Sequence, residues 1–287
     1  MSLSEHCVHL IAQEQNKFEQ EYQQHFLSGE SKEKHIGSPY LLHNSNSSRG
    51  VLLVHGFMAA PEEVREWADF LFEQGYTVYA PRMAGHGTSA TDLSQREMNE
   101  WLASVEHGHD ILKACCDNIV IGGFSTGAAV ALHQVINKPG EFEGLISISA
   151  PLKFKKFSAH FASPVNSWNK LLTRLGIEKG RKEFVTNHAD NPHINYLRCP
   201  VNGIVEIKRL MKQVSKGLSK IDIPTLIIHA DNDPKVDVES SREINKRLKT
   251  THSRYREVSF DLHGIIRGPI SDQVFNEVDL FLKQSLA

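Results

Sequence analysis

The chain has no long apolar run. No segment of its 287 residues reads as a membrane-spanning helix. The first thirty residues include Glu5, His6, Gln13, Glu14, Gln15, Asn16 and Lys17, which leaves no room there for the apolar core of a signal peptide. Cysteine is scarce as well. Cys7, Cys115, Cys116 and Cys199 contain no C-x-x-C pair, so neither a zinc site nor a disulfide framework is expected. Adjacent Cys115 and Cys116 read as packing residues, and a reducing cytoplasm is the expected compartment. Neither sign of charge is in excess: the formal net charge is -2, which removes a general attraction to nucleic acid. Internal repeats and low-complexity tracts are missing too. What remains, 40% hydrophobic and 23% charged residues, is the composition of an ordinary globular chain, long enough for one large α/β domain or two smaller ones.

Residues 1–36 carry Leu10, Ile11, Phe18, Tyr22 and Phe26 at helical spacing, which predicts an amphipathic N-terminal extension that docks on the main domain or meets a partner. The polar stretch Asn44 to Gly50 separates Tyr40-Leu41-Leu42 from Val51 to Val54 and reads as the turn of a hairpin leading into a sheet. Strand signals then recur at Val51 to His55, Tyr76 to Ala80, Asn118 to Gly122, Leu145 to Ser149, Pro224 to Ala230 and Tyr255 to Ser259. Helical signals fall between them: Pro61-Glu62-Glu63 supplies a proline and first-turn acids, Glu97 to Ala114 follows, and Pro269 to Leu286 closes the chain. Such alternation predicts an α/β domain with a mainly parallel sheet covered on both faces. It occupies residues 37–150 and 224–287. Residues 151–223 interrupt it, with no obvious strand and two helical patches, Val165 to Leu175 and Ile204 to Val214. They predict an inserted helical cap at the carboxyl edge of the sheet.

Gly123-Phe124-Ser125-Thr126-Gly127 lies between an apolar strand signal and the helix beginning at Ala128. A serine on that sharp turn projects its hydroxyl beyond the sheet edge, beside a helix N-terminus that favours negative charge. Its neighbours there must be small, hence glycine. A serine hydroxyl is a poor nucleophile at neutral pH, so it needs a histidine base and a carboxylate to orient that base. Asp233 follows the strand ending at Ala230, with Asp231 and Asp237 as competitors, and His263 follows the last strand. His107 and His109 have the spacing of metal ligands, but with only Glu106 and Asp110 nearby they read as a solvated helix face.

His55-Gly56-Phe57, Gly85-His86-Gly87, the Ser125 pentapeptide, Asp233-Pro234-Lys235-Val236 and His263 together resemble the α/β-hydrolase superfamily, whose nucleophile, acid and histidine occur in that order. Within it the chain looks like the bacterial carboxylesterase, monoacylglycerol lipase and serine-aminopeptidase-like branch, over residues 51–287. The resemblance implies the α/β-hydrolase fold and a serine hydrolase without metal or organic cofactor. It also implies an oxyanion hole made by the backbone N–H groups of Phe57 and Thr126. The expected substrate is a carboxylic ester of short to medium acyl length, with monoacylglycerol a possible member. An acyl thioester, or an ester on a carrier protein, is the first alternative, and a non-catalytic ligand-binding scaffold is the second.

Residues 151–223 hold fourteen Lys plus Arg against five Asp plus Glu, a charge of +9, while the remainder carries -11. Lys153, Lys155 and Lys156 flank Phe154 and Phe157, and Lys208, Arg209 and Lys212 flank Leu210 and Met211. One reading is an apolar pocket under a basic rim, lined by His86, Phe124, Phe154, Phe157, Trp168 and Met211, that attracts an anionic lipid or an acidic carrier protein. The other is that the basic insertion neutralises the acidic core domain.

Overall fold

The computed structural model describes residues 3–155 and 182–285. Ser4 accepts from the Cys7 N–H and starts helix α1 (Glu5–His25). A single turn, α2 (Lys34–Gly37), leads to β1 (Tyr40–Leu42), β2 (Arg49–Val54), α3 (Arg65–Glu73) and β3 (Thr77–Ala80). Helices α4 (Ala90–Gln95) and α5 (Met98–Lys113) precede β4 (Asn118–Phe124), α6 (Thr126–Asn137) and β5 (Gly144–Ile148). Beyond the insertion's β6 (Phe184–Thr186) and β7 (Arg198–Pro200) come α7 (Val201–Gly217), β8 (Thr225–Ala230), α8 (Glu239–Arg247), β9 (Ser253–Val258) and α9 (Ser271–Ser285).

The main sheet has the order β1-β3-β2-β4-β5-β8-β9, and β1 alone runs antiparallel. Alternation along the strands assigns each side chain to one of two cores. Leu52, Tyr79, Ile121, Leu145 and Ile227 meet the layer containing Trp101, Leu132 and Leu210, whereas Val51, Leu53, Val120, Ile146 and Leu226 meet Trp67, Val278 and Phe281. Burial on both faces explains why β2, β4, β5 and β8 read as nearly unbroken apolar runs. This is the α/β-hydrolase fold anticipated from the motifs.

Several local expectations need correction. The turn at Asn44 to Gly50 does not close a hairpin, because β2 is filled on both edges by β3 and β4 while β1 pairs with β3. The insertion contains a two-stranded antiparallel ribbon, β6 with β7, too short to give a strand signal. Helix α7, assigned by sequence to the cap, packs against α6 and sends Ile207, Leu210 and Val214 into the main core. Val165 to Leu175 lies outside the described residues. His109 is not solvated: it is buried, with its ring 4.6 Å from Phe142, because it occupies the inward face of α5.

The N-terminal extension docks on the domain. Cys7 and Phe18 are buried, Ser4 donates to the Ala114 carbonyl at 3.2 Å, and Glu21 pairs with buried Arg82. Among the described residues, no helix is long and apolar enough to cross a membrane.

Candidate active site

Strand β4 ends at Phe124 and α6 begins at Thr126, leaving Ser125 alone on the turn with φ 54° and ψ -120°. A residue with a side chain costs about 1–3 kcal/mol in such backbone. The surroundings hold it there: Ser125 N–H donates to the Ile148 carbonyl at 2.8 Å, and the Ser125 carbonyl accepts from Ala128 N–H at 3.0 Å. Both flanking glycines mark backbone contacts. A Cβ on Gly123 would stand 2.3 Å from the Gly127 carbonyl oxygen, and one on Gly127 would stand 2.1 Å from that of Val54.

The two other residues expected from sequence meet Ser125 here. His263, between β9 and α9, places Nε2 2.8 Å from Ser125 Oγ and Nδ1 2.5 Å from Asp233 Oδ2. Asp233 Oδ1 accepts from the N–H groups of Lys235 at 2.7 Å and Val236 at 3.0 Å. Burial pushes the Asp233 carboxyl up, but His229, His263 and the Val236 N–H together hold it well below the ordinary carboxylate range. An ionised acid only accepts, so His263 carries its proton on Nδ1 and leaves Nε2 free to accept from the serine hydroxyl.

The competing acids are used elsewhere. Asp231 accepts from Phe260 N–H, and Asp237 accepts from Glu239 N–H while pairing with Lys153 at 3.4 Å. A second histidine stands behind the acid: His229 Nε2 is 3.2 Å from Asp233 Oδ2 but lacks hydrogen-bond geometry, and its Nδ1 contacts Ser241 Oγ.

Ser125 and His263 open onto a cavity of about 150 Å³. Phe57 and Thr126, the expected oxyanion donors, line it, and Thr126 is the first residue of α6, where a backbone N–H has no intrahelical acceptor. Phe124 and Phe154 line it as expected. His86 does not: it is fully buried behind Phe57, with ring centroids 5.8 Å apart, because the Gly85-His86-Gly87 loop turns it toward His55 and Trp101. Met211 does not line it either. Ile207, one helical turn earlier on α7, takes that place. Phe157 and Trp168 lie outside the described residues.

The sequence pattern of the family described as serine aminopeptidase, S33, matches residues 45–269. The chain belongs to that family. Among its similar proteins is a thermostable monoacylglycerol lipase of a Bacillus species, 31% identical over 188 residues that make up 66% of this chain and 72% of the relative. A carboxylesterase of Bacillus subtilis is 25% identical over 82% of this chain and 93% of its own. The fold matches that of a solved structure described under LipS and LipT, two metagenome-derived lipolytic enzymes. Its TM-score is 0.76 at 20% identity, covering 90% of this chain and 99% of the other. A monoacylglycerol lipase of Paleococcus ferrophilus gives 0.71 at 17% identity, covering 85% and 98%.

Sequence reasoning missed the polar half of this family member's cavity. Glu63, Asn187, Asn191, Asn195 and Lys235 all line it. Glu63 reads in sequence as an ordinary first-turn acid, and the asparagines sit in an insertion with no regular period. The ribbon carrying them is anchored by Tyr196, whose N–H donates to the Met58 carbonyl at 3.0 Å and whose hydroxyl donates to that of Gly85 at 3.1 Å.

Proposed function

We propose that the protein hydrolyses carboxylic esters of short to medium acyl length, monoacylglycerols among them, through an acyl-enzyme on Ser125. The observation carrying this reading is the unbroken line from Ser125 Oγ through His263 to Asp233 at the cavity wall, 2.8 Å and then 2.5 Å. His263 Nε2 takes the hydroxyl proton as Ser125 Oγ bonds to the ester carbonyl carbon. The carbonyl oxygen becomes an oxyanion between the Phe57 and Thr126 N–H groups, where fixed donors stabilise it without reorganisation of solvent. His263 then passes the proton to the departing alcohol. Water, activated by the same nitrogen, releases the acid and frees the serine.

The two Bacillus relatives, described as a monoacylglycerol lipase and a carboxylesterase, support the ester class. The cavity walls support an acyl chain beside a polar leaving group, since apolar Phe124, Phe154 and Ile207 line it together with Asn191, Asn195, Asp190 and Lys235. Charge neutralisation by the insertion is favoured over an anionic lipid or an acidic carrier: Lys153 pairs with Asp237 of the core domain, and Arg198 pairs with Glu30 of the N-terminal extension. Lys156 lies outside the described residues.

The test is to label the protein with a fluorophosphonate, map the adduct, and measure turnover of p-nitrophenyl esters of increasing chain length beside matched thioesters. We expect labelling on Ser125, loss of both labelling and turnover in Ser125→Ala, and faster turnover of oxygen esters. Undiminished turnover in Ser125→Ala would refute the mechanism, and a strong thioester preference would change the substrate class.

A further inference from the structure

Two carboxyls line the cavity without a part in that sequence of steps, Asp190 and Glu63, and Glu63 is the buried one. Glu63 sits in the short 3-10 turn Pro61–Val64, after β2 and before α3. It is 6% exposed and lines the cavity together with Ser125. Its Oε2 accepts from the Gly56 N–H at 2.6 Å. Gly56 immediately precedes Phe57, so the Gly56 carbonyl and the Phe57 N–H belong to one peptide plane. That carbonyl accepts from His55 Nδ1 at 2.9 Å and from Ala59 N–H at 3.4 Å. The tautomer of His55 follows from its other nitrogen, since Nε2 accepts from Met83 N–H at 3.3 Å and Nδ1 is therefore the donor. Gly56 is thus gripped at both ends, by Glu63 on its N–H and by His55 on its carbonyl.

The turn that presents Glu63 is itself fixed. Glu63 N–H donates to the Ala60 carbonyl at 2.9 Å, and Arg267 Nη1 donates to the Glu62 carbonyl at 2.6 Å while the same guanidinium pairs with Glu66. A carboxyl is a costly group to bury for structure alone. Burial pushes Glu63 up to about 7, against the opposing pull of the Gly56 N–H, Lys235, Arg267 and Asn195. Lys235 is paired with Asp190, Arg267 with Glu66, and His263 with Asp233, so no cation is committed to Glu63. Its partners are the Asn195 side chain and the Gly56 N–H, the latter one peptide away from the donor on which the reaction depends. Either protonation state of the carboxyl offers that N–H an acceptor oxygen.

We propose that Glu63 is the positioning residue of the oxyanion hole, holding through the Gly56 N–H the peptide that aims the Phe57 N–H at the developing oxyanion. This rests on the ester-hydrolase reading above. In this role Glu63 acts on the reaction through Gly56 and Phe57. The role follows from its acceptor oxygen and not from its charge, which separates it from a group that binds the alcohol.

The experiment compares Glu63→Gln, which keeps an acceptor oxygen, with Glu63→Met, which fills the space without one. For each variant, kcat and KM on p-nitrophenyl butyrate are measured beside the inhibition constant of an alkyl trifluoromethyl ketone. Ser125 Oγ adds to that ketone, its proton passes to His263, and the new alkoxide occupies the oxyanion position. We expect Glu63→Gln to keep kcat within about threefold, and Glu63→Met to lose roughly 10- to 100-fold in kcat with KM little changed. The ketone should weaken by the same factor as kcat/KM. A role confined to stability would move the unfolding midpoint and leave the ketone constant alone. Should Glu63→Met not fold, Glu63→Asp, which withdraws the carboxylate from Gly56, carries the same expectation. Equal loss in the Gln and Met variants, an effect on KM alone, or unchanged kcat in Glu63→Met would overturn the proposal. Fluorophosphonate labelling of the wild-type protein is the separate control: its failure would strike the ester-hydrolase reading, and its success with unchanged variants would strike only the role of Glu63.

Discussion

Gly127→Ala tests the geometry of the nucleophile turn. By helix propensity alone the change should stabilise α6 by about 1 kcal/mol. The structure predicts the reverse, because the new Cβ would lie 2.1 Å from the Val54 carbonyl oxygen and 2.4 Å from that of His55, where ordinary contact begins at 3.4 Å. Both obstacles are backbone atoms at the end of β2, so no side chain can swing aside. The first turn of α6 and the end of β2 must separate by about 1.3 Å, the shortfall between those distances. That motion pulls Thr126, on α6, away from Phe57, three residues past the end of β2, and so spreads the two expected oxyanion donors. Overpacking of this kind costs roughly 1–3 kcal/mol, and a 1 Å misplacement of reacting groups can cost about 100-fold in rate. The assay pairs urea unfolding with the rate of fluorophosphonate labelling at Ser125. Gly140→Ala is the comparison, since Gly140 has φ +82° with nothing within 4 Å of an added Cβ. It should lose about 1–2 kcal/mol from backbone strain and keep its labelling rate. A folded Gly127→Ala protein that labels at a rate within about threefold of wild type would refute the reasoning.

Asp233 and the buried titratable groups carry two further expected outcomes. Asp233→Asn should lower kcat by about 10⁴-fold, because an amide at that position can donate to His263 Nδ1 and invert its tautomer; a loss under about tenfold in a folded variant would remove Asp233 from the orienting role. Stability should respond to pH through two buried groups of opposite sense. Burial raises Glu63 from 4.5 to about 7, so the folded state keeps a proton that the unfolded chain releases, and stability falls as pH climbs through that window. Burial lowers His55 from 6.5 to about 4, so its contribution is present above 6.5 and is lost as pH falls toward 4. Glu63→Gln removes only the first effect, so its unfolding free energy relative to wild type should rise by roughly 2–3 kcal/mol between pH 5 and pH 8. A constant difference across that range would contradict the raised carboxyl.

The parts legible in the sequence are those with a strong local cause. Strands buried on both faces must be apolar along their length, so β2, β4, β5 and β8 declared themselves, and their alternation with helices implied a parallel sheet. The Gly123 to Gly127 turn was equally plain, because a left-handed serine between two backbone contacts tolerates few sequences. The chain order of Ser125, Asp233 and His263, each beyond a strand end, then followed from the topology. Elements with weak local cause were not legible. Strand β1 found its partner only because β2 has no free edge, and β6 and β7 are too short to carry a period.

Burial of polar side chains was equally hidden, since it depends on which segments converge. Nothing local separates Glu62, near the surface, from Glu63, which accepts from Gly56 inside the cavity, or tells His86 that it packs behind Phe57. By itself the sequence determined which three residues the structure brings into one hydrogen-bonded line, Ser125, His263 and Asp233, because the Ser125 turn is a local backbone requirement and its partners sit at predictable strand ends. Only the tertiary structure decided the walls around that line, because Glu63, the asparagines and Ile207 reach the cavity through contacts between segments far apart in the chain.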